Sequence, residues 1–559
     1  MTSTDISFLT VVEEHTGPHH LATSLAAIRA NGTGYEHVVV DNATSDPAVA
    51  RALGDAGTSP QCTVVRLDHR LDDAAALRVA LDHASGIHVM EVGPEDELLP
   101  DTAASMLAAL VDADVAYCDH GIVLPDGRFG PTVYKPAYSP EHLRHRDYIS
   151  PSYAARRSLI DDVGGFGDLG RNGGRHDLLL RLAERAEPFA HVPDLLYRRR
   201  RHITADTAAE AESCTQASLS AVRSHCERVG IDAAVTPGSI PGTVRVDRRL
   251  SGPERISVVI PTRGTSRRVW GVERCFVVEA VRSLVDNSTT VDLEIVVVHD
   301  DVTPPAVLTT LRELAGDRLV LVPYAEPFNF SRKLNVGVAA SNEPLVLLLN
   351  DDTELIEPTS LDVLASHLTD TDVGMVGPKL LFADGTIQDG GHVYNVHVLP
   401  GLSGWHGSDP GPAPLHPLSV ARETSGVTAA VALVRREVFD EVGGFDETFP
   451  VNFNDVDFSL KIRATGRRVI WTPWASWHHF ESQTREPTAT PAEFHAIDAR
   501  WHRAINNDPY YNPNLPPYRA DWFEPVFRSG EPDEVDTAHP FRWIASRLAR
   551  RVGRTRSLR

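Results

Sequence analysis

The chain has 559 residues, 42% of them hydrophobic, which is enough to bury more than one core. A formal net charge of −22 excludes a general nucleic-acid binder, because neutralising phosphates needs clustered Lys and Arg. Five scattered cysteines (Cys62, Cys118, Cys214, Cys226, Cys275) form no Cys-x-x-Cys pair, and no apolar run nears the ~18 residues of a membrane span, so a cytoplasmic protein without zinc or disulfides is expected.

The first elements are a β-branched strand at Ile6 to Thr10, a helix-spaced segment from Leu21 to Arg29, and a second strand at His37 to Asn42. Ile87-His88-Val89-Met90 then precedes the acidic Glu95-Asp96-Glu97-Leu98, and Val163-Gly164-Gly165-Phe166 follows. Thr204 to Val229 reads as a helix, and Thr236-Pro237-Gly238-Ser239-Ile240-Pro241-Gly242 as a break between domains.

Beyond the break the plan repeats. Ile256 to Ile260, Val277 to Val285 and Glu294 to Asp300 again give strand, helix, strand; Leu345 to Leu349 again precedes acidic residues, and Val442-Gly443-Gly444-Phe445 again follows. The period far exceeds the roughly 20 to 50 residues of stacked repeats, so this is a domain duplication. Alternating strands and helices favour α/β units with mainly parallel sheets and right-handed crossovers.

Ligands gather beyond the carboxyl ends of strands in such sheets. The segment Leu347-Leu348-Leu349-Asn350-Asp351-Asp352-Thr353-Glu354 delivers carboxylates there, as hard oxygen ligands suited to Mg²⁺ or Mn²⁺ on a diphosphate. Asp352 is the first choice as direct ligand and Asp351 its companion; a solvated turn or helix cap is the plainer alternative. Asn454-Asp455-Val456-Asp457 forms a second acidic group, equally suited to capping a helix through Phe458 to Arg463. His478-His479 follows an apolar strand at Val469-Ile470-Trp471, among Trp474, Trp477 and Phe480, where a packed core histidine is the alternative to a ligand.

Val258-Val259-Ile260-Pro261-Thr262-Arg263, Pro327-Phe328-Asn329-Phe330-Ser331, Leu349-Asn350-Asp351-Asp352-Thr353 and Asn454-Asp455-Val456-Asp457 together resemble glycosyltransferase family 2. Gly385-Thr386-Ile387-Gln388, Val442-Gly443-Gly444-Phe445-Asp446-Glu447 and Asp508-Pro509-Tyr510-Tyr511-Asn512-Pro513-Asn514-Leu515 resemble its bacterial polysaccharide, rhamnosyltransferase-like branch. The resemblance is strong from Ile256 to Leu515 and weaker before it. It implies two tandem GT-A-like domains with a C-terminal helical extension: a degenerate, noncatalytic domain over 1–235, a linker over 236–254, a catalytic domain over 255–485, an extension over 486–530 and a tail over 531–559.

The same resemblance implies an inverting displacement in which an acceptor hydroxyl attacks the anomeric carbon of a nucleoside-diphosphate sugar. Asp455 matches the catalytic base, while Asp457 and Asn454 orient a neighbour or the acceptor. His479 matches a late histidine that reaches metal or diphosphate, with His478 as the register alternative. Pro261, Thr262, Arg263 and Asp300 line the nucleotide pocket, and Arg332, Lys333 and Asn335 help hold donor phosphates or sugar. The chain departs from the family in carrying His299 where many members have a base-contacting Asp, with Asp300 as the substitute.

In the first half, Gly93-Pro94-Glu95 stands in place of the metal carboxylates, Arg175-His176-Asp177 in place of the base motif and Arg198 in place of the late histidine. Asp41 and Asn42 keep the means to bind a nucleoside. At the other end Phe541, Ile544, Leu548 and Val552 recur at helical spacing among seven arginines, a basic amphipathic tail suited to anionic lipid at the inner face of the plasma membrane. The leading expectation is a metal-dependent transferase that extends a surface polysaccharide or lipid-linked glycan, with hexosyl or deoxyhexosyl transfer, rhamnosyl included. The alternatives are a noncatalytic glycan-binding or assembly scaffold and a metal-dependent hydrolase.

Overall fold

Strands with few polar breaks need cover on both faces, and parallel sheets flanked by helices provide it. The computed structural model describes residues 4–516, apart from 33, 168–169, 186–188, 202–206, 288–290, 395–400, 403–414 and 481–488, and contains two such sheets. The first is built from β1 (Ile6–Val12), β2 (Tyr35–Asp41), β3 (Cys62–Arg66), β4 (His88–Glu91), β5 (Glu97–Leu98), β6 (Val115–Val123), β7 (Phe129–Val133), β8 (Tyr153–Arg156) and β9 (Phe189–Arg200). Its order is β3-β2-β1-β4-β8-β6-β9-β5, with β7 beside β6, and β8 runs against its parallel neighbours β4 and β6.

A hairpin, β10 (Ala233–Pro237) and β11 (Val244–Arg248), follows the helix Thr207–Val229, and its Val235, Val244 and Val246 join the first sheet's core. The second half contains β12 (Arg255–Thr262), the hairpin β13 (Ser266–Val269) and β14 (Val272–Cys275), β15 (Asp292–Asp300), β16 (Leu319–Tyr324), β17 (Leu345–Leu349), β18 (Thr353–Leu355), β19 (Val373–Leu381), β20 (Ile387–Asp389), β21 (His392–Val393), β22 (Gly401–Leu402), β23 (Arg422–Glu423), β24 (Val431–Arg435) and β25 (Arg468–His479). The order β16-β15-β12-β17-β24-β19-β25-β18 repeats the first sheet place for place. The landmarks that suggested a duplication therefore occupy equivalent strands, and the chain is a tandem of GT-A-like α/β domains with a helix, Pro491–Asn506, after the second.

Alternation along the strands sorts the second core into two layers. Ile256, Val258 and Ile260 pack with Val277, Val281 and Leu284 of helix Phe276–Asn287, whereas Val259 packs with Leu334 and Val338 of helix Phe330–Ala339. The second helix lies close because Gly337 meets the sheet: a Cβ there would stand 2.4 Å from Val259 Cγ1 and 2.8 Å from Val298 Cγ2. That closeness sets the height of the helix over the strand ends.

The two domains meet through buried charge. Glu141 of the first, 1% exposed, accepts from Arg248 at 2.7 and 2.8 Å and from Arg144 at 2.6 Å. Burial opposes its ionisation, but the two guanidinium groups outweigh that and hold its carboxyl well below the usual range. Arg248 also meets His367 of the second domain at 3.0 Å, and Glu423 accepts from the Ser139 hydroxyl, the Glu141 backbone N–H and Arg468. The Asp508 to Leu515 segment bridges the same seam: Asp508 accepts from Tyr394 N at 2.7 Å and from the Ser425 hydroxyl, while Asn512 donates to Asp119 at 2.7 Å and to Lys135 O at 3.0 Å.

Among the described residues no helix is long and apolar enough to cross a membrane. The amphipathic tail expected over 531–559 lies outside the described residues. Removing one partner of a buried ion pair leaves an uncompensated charge, so Arg248→Met is expected to destabilise the chain by about 3 to 5 kcal/mol. Urea denaturation reads this as a lowered midpoint, with much of the loss recovered in the Glu141→Gln/Arg248→Met double variant.

Candidate active site

The strands β12, β15 and β17 run parallel, so Thr262, Asp300 and Asp351 come to one edge of the sheet. Thr262 donates from Oγ1 to Asp351 Oδ2 at 2.6 Å. Beside them Lys333 Nζ, 1% exposed, lies 2.6 Å from Asp300 Oδ1 and donates to Thr262 O at 3.2 Å. Arg263 reaches Asp300 Oδ2 from solvent at 3.4 Å. Burial and the adjacent Asp352 carboxylate push Asp351 above the usual carboxylate range, against the pull of Thr262, Lys333 and His479. Pro261 is the penultimate residue of β12.

After Asp352 the chain turns into the short β18, which pairs antiparallel with β25 so that Thr353 faces His479 and Glu354 faces His478. The pairing brings His479 Nε2 to 3.3 Å from Asp352 Oδ1, and Phe480 N donates to Asp352 O at 2.9 Å. His479 Nδ1 lies 2.7 Å from Gln388 Oε1, an acceptor, so Nδ1 carries the proton and Nε2 presents a lone pair toward Asp352 when the ring is neutral. Asn350 Nδ2 sits 3.4 Å from the same Nε2, in keeping with that tautomer. An imidazole anchored at one nitrogen with its other nitrogen beside a carboxylate suits a divalent cation. Among the described residues no three His, Cys, Asp or Glu side chains form a ready metal cluster. Asp352 and His479 are the residues that would hold such a cation, together with oxygens of the ligand.

His478 points elsewhere: it packs edge-on to Trp270 at 5.1 Å and meets Phe382 O at 3.3 Å. Strand alternation thus puts His479, of the two register alternatives, on the Asp352 side. Arg332 and Asn335 turn to another neighbour. Arg332 pairs with Glu326 and Glu447 at the surface, and Asn335 exchanges hydrogen bonds with both Phe445 N and Phe445 O at 2.9 Å. Asn335 so pins the turn at Gly443 and Gly444, whose φ values of 72° and 64° suit glycine.

Asp455 is half-buried in the first turn of helix Asn454–Ala464, behind Asn454, whose Oδ1 accepts from Asp455 N at 2.8 Å. Burial pushes Asp389 above the carboxylate range against the pull of His392 and of backbone N–H groups, and Asp455 adds a smaller push in the same direction. Asp457 is fully buried and accepts at Oδ1 from Arg500 at 2.8 Å and from Trp501 Nε1 at 2.7 Å. Consecutive residues of β20 thus serve two corners of the site, Gln388 at His479 and Asp389 near Asp455. Sequence reasoning assigned neither; the Gly385-Thr386-Ile387-Gln388 match was the available signal, without a role attached to it.

In the first domain the equivalent places are filled by the chain itself. Glu91 forms a buried bidentate pair with Arg175, Asp96 accepts from the Tyr197 hydroxyl at 2.6 Å and Arg200 N at 2.8 Å, and Glu95 accepts from Gly17 N. Asp177 pairs with Arg181 at 2.7 Å, and Arg198 lies over the Phe129 ring. Asp41 accepts from Thr44, and Asn42 donates to Glu13 and Leu71 O.

The model of glycosyl transferase family 2 matches residues 12–165 and 257–443, one segment in each domain. Asp455 and His479 lie beyond the second segment. The O-antigen biosynthesis protein RfbC of Myxococcus xanthus is 31% identical over 502 residues, which cover 86% of this chain and 38% of that protein. The uncharacterized protein y4gI of Sinorhizobium fredii (strain NBRC 101917 / NGR234) is 30% identical over 537 residues, 90% of this chain and 57% of that one. The chain thus spans between about two fifths and three fifths of the length of these relatives. A solved structure of S. aureus TarS residues 1–349 with UDP-GlcNAc is 16% identical, with a TM-score of 0.32 over 38% of this chain and 65% of that one, too distant a likeness to add to the argument. A family match that covers most of both domains makes the chain a member of glycosyltransferase family 2.

Proposed function

We propose that the second domain transfers a sugar, with inversion, from a nucleoside-diphosphate donor to a growing cell-surface polysaccharide or lipid-linked glycan. One observation carries the reading: Thr262, Lys333, Asp351 and the Asp352–His479–Gln388 chain converge at the carboxyl ends of parallel strands. The sugar is a hexose or deoxyhexose, with rhamnose favoured by the resemblance. Lys333 contributes the fixed positive charge beside a diphosphate, and Thr262, Arg263 and Asp300 border the nucleoside. Asp352 and His479 would hold Mg²⁺ or Mn²⁺, which when bound neutralises charge on the departing nucleotide.

Asp455 takes the proton of the acceptor hydroxyl as that oxygen attacks the anomeric carbon and the bond from that carbon to the diphosphate oxygen breaks. Half-burial leaves this carboxylate open to a ligand, while Asp389 beside it is closed in. A scaffold role suits the first domain better, because among the described residues Glu91, Asp96 and Asp177 at the equivalent positions are held by Arg175, Tyr197 and Arg181.

Three outcomes follow from this division of labour. Asp455→Asn is expected to lower transfer ~10² to 10⁴-fold while calorimetric nucleotide affinity stays within a factor of about three, and unchanged transfer would remove Asp455 from the mechanism. Titrating UDP, dTDP and GDP with and without Mn²⁺ should find one that binds in a metal-dependent way, with affinity lost in Asp352→Ala and weakened ~10 to 100-fold in Gln388→Leu, whose side chain no longer orients His479. The same titration should saturate at one nucleotide per chain, whereas two would restore a working site to the first domain.

A further inference from the structure

The acidic motif at Asn454 to Asp457 is held from outside its own domain core. Phe453, immediately before it, adopts φ of 59°, an unfavourable conformation for an aromatic residue that persists only when its surroundings enforce it. Helix Pro491–Asn506 supplies one side of those surroundings, with Tyr394, Phe449 and Leu460 on the other. Phe494 packs on Phe453 with ring centroids 5.0 Å apart, and Ile497 and Trp501 complete the apolar cluster around Phe453 and Val456.

Polar contacts from the same helix converge on the same turn. Glu493, fixed by a capping box with Thr490, accepts from Asn452 N at 3.3 Å and from Asn452 Nδ2 at 3.1 Å. Arg500 spans two carboxylates, Asp457 at 2.8 Å and Asp446 at 2.7 Å, and Trp501 donates its indole N–H to Asp457. Asp457 Oδ2 is buried with no hydrogen-bond partner, so Oδ1 and its two donors define how this carboxylate is turned. Among the described residues, the Asp455 carboxylate accepts from its own neighbour, Val456 N, at 2.9 Å. Its direction therefore follows from the orientation of the helical turn that Asp457 anchors.

Building on the transferase reading, we propose that helix Pro491–Asn506 is a clamp that aims Asp455, with Arg500 and Trp501 as positioning residues acting through Asp457. Neither touches the reacting atoms. The clamp selects the direction of the base and leaves the donor pocket alone, because the polar contacts of its described residues fall on Asp446, Asn452 and Asp457 and not on Thr262, Asp300, Lys333 or Asp352.

The test uses the full chain and three variants: Trp501→Phe, which keeps an aromatic ring, though a smaller one, and removes the N–H; Arg500→Lys; and Arg503→Ala, on the solvent side of the same helix, as control. Hydrogen exchange is expected to quicken ~10-fold or more at the Asp457 amide, which donates to Phe453 O, in Trp501→Phe, less in Arg500→Lys and not in the control, with β12 and β17 unchanged. With UDP-, dTDP- and GDP-sugars as donors, kcat should fall ~10-fold or more in Trp501→Phe while KM for the donor stays within about twofold, the signature of a misaimed base. Unchanged exchange at Asp457 would overturn the clamp, as would kcat and KM moving together with a general loss of protection. If the unaltered chain transfers none of the sugars, the transferase reading fails, and the exchange arm alone decides whether the helix holds this turn.

Discussion

Two adjacent carboxylates, half-buried Asp351 and buried Asp352, sit at the end of an apolar strand, and the arrangement around them exists to make that tolerable. Taking such charges out of water is unfavourable unless hydrogen bonds or opposite charge compensate. Thr262 supplies a hydroxyl from the first strand, Lys333 a buried ammonium from the helix that Gly337 seats on the sheet, and His479 an imidazole from the last strand. Each comes from a different element, so the site forms only when the whole sheet does. The compensation is also incomplete, since burial and Asp352 still push Asp351 up.

The first domain shows the same constraint resolved differently. Its sheet has the same strand order, but the chain answers its buried acids internally, Glu91 with Arg175 and Asp96 with Tyr197 and Arg200. The surface of this first domain also meets the second one. Glu141, Arg248, His367, Glu423 and Arg468 form a buried charged seam, and the Asp508 to Leu515 segment sews Tyr394 and Ser425 of the second domain to Asp119 and Lys135 of the first. Such a seam is directional and unforgiving of single losses, which favours one fixed relation between the domains over a sliding one. It reaches the wall that carries Tyr394, a residue within the electrostatic range of Asp455.

Much of this was legible in the amino-acid order. Strand, helix and acidic landmarks recurred in both halves because each sheet needs apolar strands of the same length at the same places, and periodicity reports that directly. Local signals ran out where neighbours in sequence take different faces. Arg332, Lys333 and Asn335 looked equivalent as polar residues after Asn329, yet Lys333 turns inward to Asp300 and Thr262 while Asn335 grips the Gly443-Gly444 turn and Arg332 stays at the surface. Only the seating of that helix on Val259 and Val298 separates them. Gln388 was invisible as a partner for His479 because 91 residues separate them, and no spacing rule spans such a gap.

The sequence by itself determined the class of the fold, its duplication, the strand ends at which chemistry gathers and the loss of the acidic pattern from the first half, because these follow from apolar periodicity and from residue types along one strand. Tertiary structure decided which of the paired histidines meets Asp352, which cation faces Asp300, and that Asp457 is turned toward Arg500 and Trp501. Those outcomes depend on the register of β18 against β25, on the depth of one helix over the sheet and on the return of a helix from beyond the second sheet. Each is a relation between elements distant in the chain, and packing, not local propensity, sets its energy.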